Sequence, residues 1–114
     1  MATILLVEDN QELRTTFEEI LSLEGYDVVQ AENGKVATEK LQTASAIDLI
    51  LCDYAMPEMN GLEVLAFVRN TPATESIPFI MMSGVRPPEV DFEHTFIIKP
   101  VGIDELLDLL HSLI

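Results

Sequence analysis

Short apolar runs alternate with segments of helical periodicity along this chain, and that alternation restricts it to βαβ units wound around a parallel sheet. The runs cover Thr3 to Val7, Asp27 to Ala31, Leu49 to Asp53, Ile77 to Met82 and Thr95 to Ile98. A first helix is predicted from Asn10, a good cap, with Leu13, Phe17, Ile20 and Leu21 on one face and Gly25 to end it. A second follows Asn33-Gly34, with Val36, Ala37 and Leu41 inward. A third runs from Leu62 to Arg69 with Val64, Leu65 and Val68 apolar, and Thr71-Pro72 stops it. The last covers Ile103 to Leu113, where Asp104 and Glu105 suit the positive end of the helix dipole. The stretch Gly84 to His94 departs from this rhythm. It carries Pro87 and Pro88 and room for one short turn seated on Val90 and Phe92.

Where the runs stop is as informative as where they lie. Ile4-Leu5-Leu6-Val7 runs into Glu8-Asp9, Leu49-Ile50-Leu51-Cys52 into Asp53, Phe79-Ile80-Met81-Met82 into Ser83, and Phe96-Ile97-Ile98 into Lys99-Pro100. Open α/β sheets bind ligands at the carboxyl ends of their strands. Right-handed crossovers keep consecutive parallel strands close, so these four ends can meet in one crevice.

The bulk properties narrow the partners. At 114 residues, 48% of them hydrophobic and 23% charged, the chain suits one soluble domain over residues 1–114 with one core. No apolar run approaches the ~20 residues of a membrane span, which argues against membrane insertion. No basic, apolar leader precedes the first strand. The single cysteine, Cys52, excludes an internal disulfide and reads as a buried structural thiol, so a cytoplasmic location is expected. A formal net charge of −14 argues against direct nucleic-acid binding.

Glu8, Asp9 and Asp53 crowded together would repel, and a divalent cation relieves that repulsion. Hard carboxylates with room for water suit Mg²⁺. Lys99 adds a point charge suited to phosphate, and Ser83 a hydroxyl donor. Acids, Mg²⁺, lysine and hydroxyl together describe a phosphoryl-binding site, in which an aspartate can act as nucleophile. Taken singly, each residue has a plainer reading: a loop acid, a turn serine, a solvated lysine. Met56, Met59, Met81 and Met82 read as core filler, His111 as a surface residue, and Asp27, Asp48 and Glu63 as solvated positions.

On these residues the chain resembles the receiver domains of two-component response regulators, chemotaxis-regulator-like domains among them. The marks are Glu8-Asp9, Asp53 followed by Met56-Pro57-x-Met59-x-Gly61, Ser83-Gly84 and Lys99-Pro100. The resemblance implies a flavodoxin-like, doubly wound five-stranded parallel sheet of order 2-1-3-4-5. It implies Asp53 as phosphoacceptor, with Asp9 a direct Mg²⁺ ligand, Glu8 assisting through metal-bound water, and the carbonyl of Ala55 a third protein ligand. Ser83 would hydrogen-bond the phosphoryl group, Lys99 would pair with it, and Gly84 would leave room for it. The Lys99-Pro100 bond is expected to be cis. Ser83 and Phe96 fall at the family's switch positions; a phenylalanine there has no hydroxyl, so any switching would run on packing.

The implied function is to take a phosphoryl group from a sensor histidine kinase or a histidine phosphotransfer protein and to switch a protein-interaction surface. The domain would hold and slowly lose its own phosphoryl group rather than turn over as an enzyme. Its output would be a downstream protein target or a fused output domain. Lys99 follows Ser83 by only 16 positions, fewer than is usual in the family, so the family's fourth helix is expected to be shortened or absent. That frees the sheet edge for a partner or for a second copy in a homodimer. Leu106, Leu107, Leu109, Leu110, Leu113 and Ile114 make the last helix apolar over more than one face, which fits an interface. Two alternatives remain: a pseudo-receiver acting as a phosphorylation-independent binding module, and an aspartyl-nucleophile phosphohydrolase. The second lacks the acid such enzymes place two residues past the nucleophile, where this chain has Ala55.

Overall fold

The computed structural model describes residues 2–43, 46–84, 95–99 and 102–114. The elements are β1 (Thr3–Val7), α1 (Gln11–Leu23), β2 (Asp27–Ala31), α2 (Gly34–Thr43), β3 (Leu49–Asp53), α3 (Gly61–Asn70), β4 (Phe79–Ser83), β5 (Thr95–Ile98) and α4 (Ile103–Leu113). The strands form one parallel sheet of order β2-β1-β3-β4-β5, as the resemblance implies. Because β1 pairs with both β2 and β3, the strand order reverses there, and the crevice between β1 and β3 is the switch point of the sheet.

Alternation along each strand sorts the core into two layers. Leu5, Val7, Ile50, Cys52, Phe79 and Met81 face α2 and α3, meeting Ala37, Leu41, Val64, Leu65 and Val68. Ile4, Leu6, Leu49, Leu51, Ile80, Met82 and Ile97 face α1 and α4, meeting Phe17, Leu21, Leu106 and Leu110. β3 and β4 are buried at every position, which is why their sequences are continuous apolar runs. Cys52 is buried, as are Met56, Met81 and Met82, in the roles expected of them.

The helix starts follow their caps. The Asn10 side chain accepts the Leu13 amide at 3.1 Å, and Asn33 accepts that of Val36 at 2.8 Å. Asn60 and Glu63 form a reciprocal capping box, so α3 begins at Gly61 and Glu63 is more than a solvated acid. Asp48 is also engaged: its carboxylate accepts the Thr3 amide at 2.8 Å and ties the start of β3 to the start of β1. Gly25 follows α1 with φ 93, a conformation that favours glycine.

Three expectations shift. β4 begins at Phe79, because the Ile77 amide is used in a turn onto Thr74 and Pro78 has no N–H to give the ladder. Leu13 is 40% exposed, outside the buried face of α1 that Phe17 and Leu21 supply. On α4 only Leu106 and Leu110 are fully buried, while Ile103 is 49% exposed and Leu113 and Ile114 are exposed as well. The wide apolar face read from the sequence is therefore only partly covered. The expected loss of the family's fourth helix falls on residues 85–94 and the cis bond on Pro100, both outside the described residues.

Candidate functional site

The carboxyl ends of the strands carry the site. Glu8 and Asp9 follow β1, Asp53 ends β3, Ser83 ends β4 and Lys99 follows β5. One carboxylate oxygen from each of Glu8, Asp9 and Asp53 lies within 4.8 Å of the others. The Lys99 ammonium is 2.9 Å from Asp53 Oδ1 and 3.4 Å from Glu8 Oε1. Glu8 and Asp53 are almost fully buried, 1% and 4% exposed, whereas Asp9 is exposed.

Burial sets the electrostatics. It pushes the Glu8 carboxyl above its ordinary value; the Asn10 amide opposes this and the neighbouring Asp53 charge adds to it. Burial likewise raises Asp53, against the pull of its hydrogen bond with Lys99. For Lys99 burial works downward, but the contacts with Asp53 and Glu8 outweigh it and leave the ammonium more strongly protonated than usual. Two buried carboxylates share one lysine, and an exposed third lies beside them, all three hard oxygen donors. The set fits a small divalent cation.

The loop after β3 is built to bring its residues back against Asp53. The Tyr54 amide donates to the Met82 carbonyl and the Gly61 amide returns to the Tyr54 carbonyl, both at 2.8 Å. Between them the Met59 amide closes a three-residue turn on the Pro57 carbonyl at 2.7 Å, with Glu58 left-handed at φ 67. A side chain on Gly61 would collide with the Asp53 carbonyl and with Met81. Ala55 is exposed in this loop. Ser83 is buried, and its carbonyl accepts the Lys99 amide at 2.7 Å, fastening the two strand ends together. Among the described residues, a Cβ on Gly84 would have no neighbour within 4 Å. Phe96 is half-buried against the layer containing Met81, its partner in register.

The chain matches the response regulator receiver domain over residues 4–111. It belongs to that family. It is 36% identical over 112 residues to the CAI-1 autoinducer sensor kinase/phosphatase CqsS of Vibrio cholerae, covering 92% of this chain and 16% of that protein. Among solved structures, the chemotaxis protein CheY4 of Vibrio cholerae superposes with a TM-score of 0.91 at 30% identity, covering 100% of this chain and 99% of that one. The response regulator TrrA of Thermotoga maritima, solved in complex with Mg²⁺-BeF, superposes at 0.89 with 29% identity and 100% coverage of both chains. Receiver domains are phosphoacceptors of two-component signalling, and this one carries the fold and the acidic cluster of that family.

The structure thus brings Glu8, Asp9, Asp53 and Lys99 into contact range, with Ser83 and Gly84 on the adjoining strand end. Two features of this receiver domain escape sequence reasoning. Gly61 is legible as one of the motif's marks, but its role in permitting the loop's close return is not. Arg14 donates from Nη1 to the Glu8 carbonyl at 2.8 Å. Its one signal is scarcity, since the chain has only 6 lysines and arginines.

Proposed function

We propose that residues 1–114 form one receiver domain that accepts a phosphoryl group on Asp53. A carboxylate oxygen of Asp53 bonds to phosphorus while the P–N bond of a phosphohistidine breaks. The imidazole leaves with the bond's electron pair and takes a proton from solvent. Lys99 moves from pairing with the Asp53 carboxylate to pairing with the phosphoryl oxygens. The Ser83 hydroxyl donates to the same group, and Gly84, without a side chain, leaves room for it. Mg²⁺ held by Glu8, Asp9, Asp53 and the Ala55 carbonyl would neutralise charge on the transferring group. The observation that carries this reading is the Asp53 carboxylate itself, 4% exposed, 2.9 Å from Lys99 and within a three-carboxylate cluster.

The donor would be a sensor histidine kinase or a histidine phosphotransfer protein. CqsS, named a sensor kinase/phosphatase, is a precedent for such a segment within a kinase chain. The output would pass through Ser83 and Phe96 to a protein partner or a fused output domain. No helix among the described residues is long and apolar enough to cross a membrane, and we place the domain in the cytoplasm. The pseudo-receiver reading gains nothing from a cluster in which every charged member is present. The test is labelling with acetyl phosphate and Mg²⁺, read by intact mass. Asp53→Asn is expected to abolish the added phosphoryl mass, and a mass shift that survives the substitution refutes the assignment.

A further inference from the structure

We propose that Arg14 is a positioning residue that holds the metal-binding turn between β1 and α1; this rests on the phosphoacceptor reading above. Arg14 lies in the first turn and a half of α1, and helical side chains lean toward the N-terminus, here back over the turn that carries Glu8 and Asp9. Its Nη1 donates to the Glu8 backbone carbonyl at 2.8 Å. Its Nε donates to Gln30 Oε1 on β2 at 3.2 Å. Gln30 is itself anchored, because its backbone carbonyl accepts the Lys40 ammonium from α2. One guanidinium therefore ties the turn to the edge strand, and through Gln30 to α2.

What Arg14 fixes is the peptide joining Glu8 to Asp9. The Glu8 amide already donates to the Ala31 carbonyl at 3.1 Å, and the Glu8 carboxylate is held by the Asn10 amide at 3.2 Å and by Lys99 at 3.4 Å. The Glu8 carbonyl is the remaining backbone handle, and its direction sets where the Asp9 Cα–Cβ bond points. Asp9 is exposed, so packing does little to aim it. A planar, forked donor makes both bonds at once; an ammonium is a single point and cannot span them in the same geometry.

The charge of Arg14 makes the test two-sided. As a mere positive charge near the site it would repel a cation, so removing it would tighten Mg²⁺ binding. As a positioning group its removal weakens binding, by roughly tenfold or more if it behaves as outer-shell partners of metal ligands do. Mg²⁺ dissociation constants for wild type, Arg14→Met and Arg14→Lys, measured by calorimetric titration, separate the two. Both variants are expected to bind Mg²⁺ more weakly, Lys as well as Met, because Lys keeps the charge and loses the fork. Labelling of Asp53 by acetyl phosphate should recover at saturating Mg²⁺. Thr74→Val serves as the stability control: it removes a buried hydrogen bond to the Val68 carbonyl in a turn between α3 and β4, and should lower Tm without moving Mg²⁺ affinity. Unchanged or tighter Mg²⁺ binding in Arg14→Met overturns the proposal, as does a loss matched by Thr74→Val at equal Tm. A wild-type chain that binds no Mg²⁺ would instead overturn the phosphoacceptor reading, and the Arg14 role with it.

Discussion

One methyl group at Gly61 tests whether the loop after β3 sets the geometry of Asp53. A Cβ there would lie 2.8 Å from the Asp53 carbonyl oxygen and 2.9 Å from the Tyr54 Cα, and would press on the Met81 sulfur. The Met81 thioether can swing aside, but the two backbone atoms cannot, so the loop must retreat by roughly 0.5–1 Å to restore ordinary contact. The 2.8 Å hydrogen bond from the Gly61 amide to the Tyr54 carbonyl is stretched in the process. Overpacking of this kind costs about 1–3 kcal/mol. Alanine's advantage over glycine in a helix returns about 0.5–1 kcal/mol. The net loss, up to about 2.5 kcal/mol, lowers Tm by as much as roughly 10 °C in a domain of this size. The chemistry should suffer more than the fold. A misplacement of about 1 Å can cost 10²-fold in rate, so half that shift at the Asp53 peptide should slow acetyl-phosphate labelling by roughly tenfold. Gly84→Ala is the matched stability control, since its methyl meets no other described residue within 4 Å and should change stability by no more than about 0.5 kcal/mol. Thermal melts on both variants and the intact-mass labelling rate of Gly61→Ala decide the matter. A Gly61→Ala protein that melts and labels like wild type refutes the close-return argument. So does a Gly84→Ala protein that loses as much stability.

Two further outcomes follow from the site's charge and from α4. Because burial holds Glu8 and Asp53 above their ordinary carboxyl values, the folded protein keeps protons that the unfolded chain releases. The associated stability is present below the ordinary values of 4.5 and 3.8 and is lost as pH rises through the folded values. In EDTA, Glu8→Gln should therefore gain stability relative to wild type as pH rises from acid toward neutral, by about 1.4 kcal/mol for each tenfold change in proton affinity that it removes. The groups facing Glu8 are Asp9, Asp53 and Lys99, and a stability difference that shrinks with rising pH contradicts their assigned balance. At the start of α4, Gly102 caps the helix without a side-chain hydrogen bond. Gly102→Ser should supply one and raise Tm by the equivalent of a few tenths of a kcal/mol, whereas a lower Tm in a denaturation scan would count against it.

How much of this can be read from residues alone depends on which part of the chain makes each contact. A strand buried on both faces must be apolar throughout, so the polar residue that ends it marks the edge of the sheet; this makes Asp53, Ser83 and Lys99 visible as a set. Glu8 and Asp9 are visible for the same reason. Periodicity finds the buried face of α1 through Phe17 and Leu21 but overextends to Leu13, since spacing identifies a stripe and not how far the sheet covers it. Arg14, and the role of Gly61 though not its place in the motif, are hidden for a different reason: one donates to a backbone carbonyl and the other yields space to one. Contacts to the backbone leave no complementary side chain to notice, so nothing at Glu8 announces an arginine six residues on. The proposed reactive groups of this receiver domain are thus written in side chains at strand ends, while the contacts proposed to aim them are made to the backbone and emerge only when the strands are paired. Substitutions at the first set should remove chemistry outright, and those at Arg14 and Gly61 should leave the groups in place and misdirect them. That difference is open to measurement: saturating Mg²⁺ should restore labelling in Arg14→Met and leave Asp53→Asn silent.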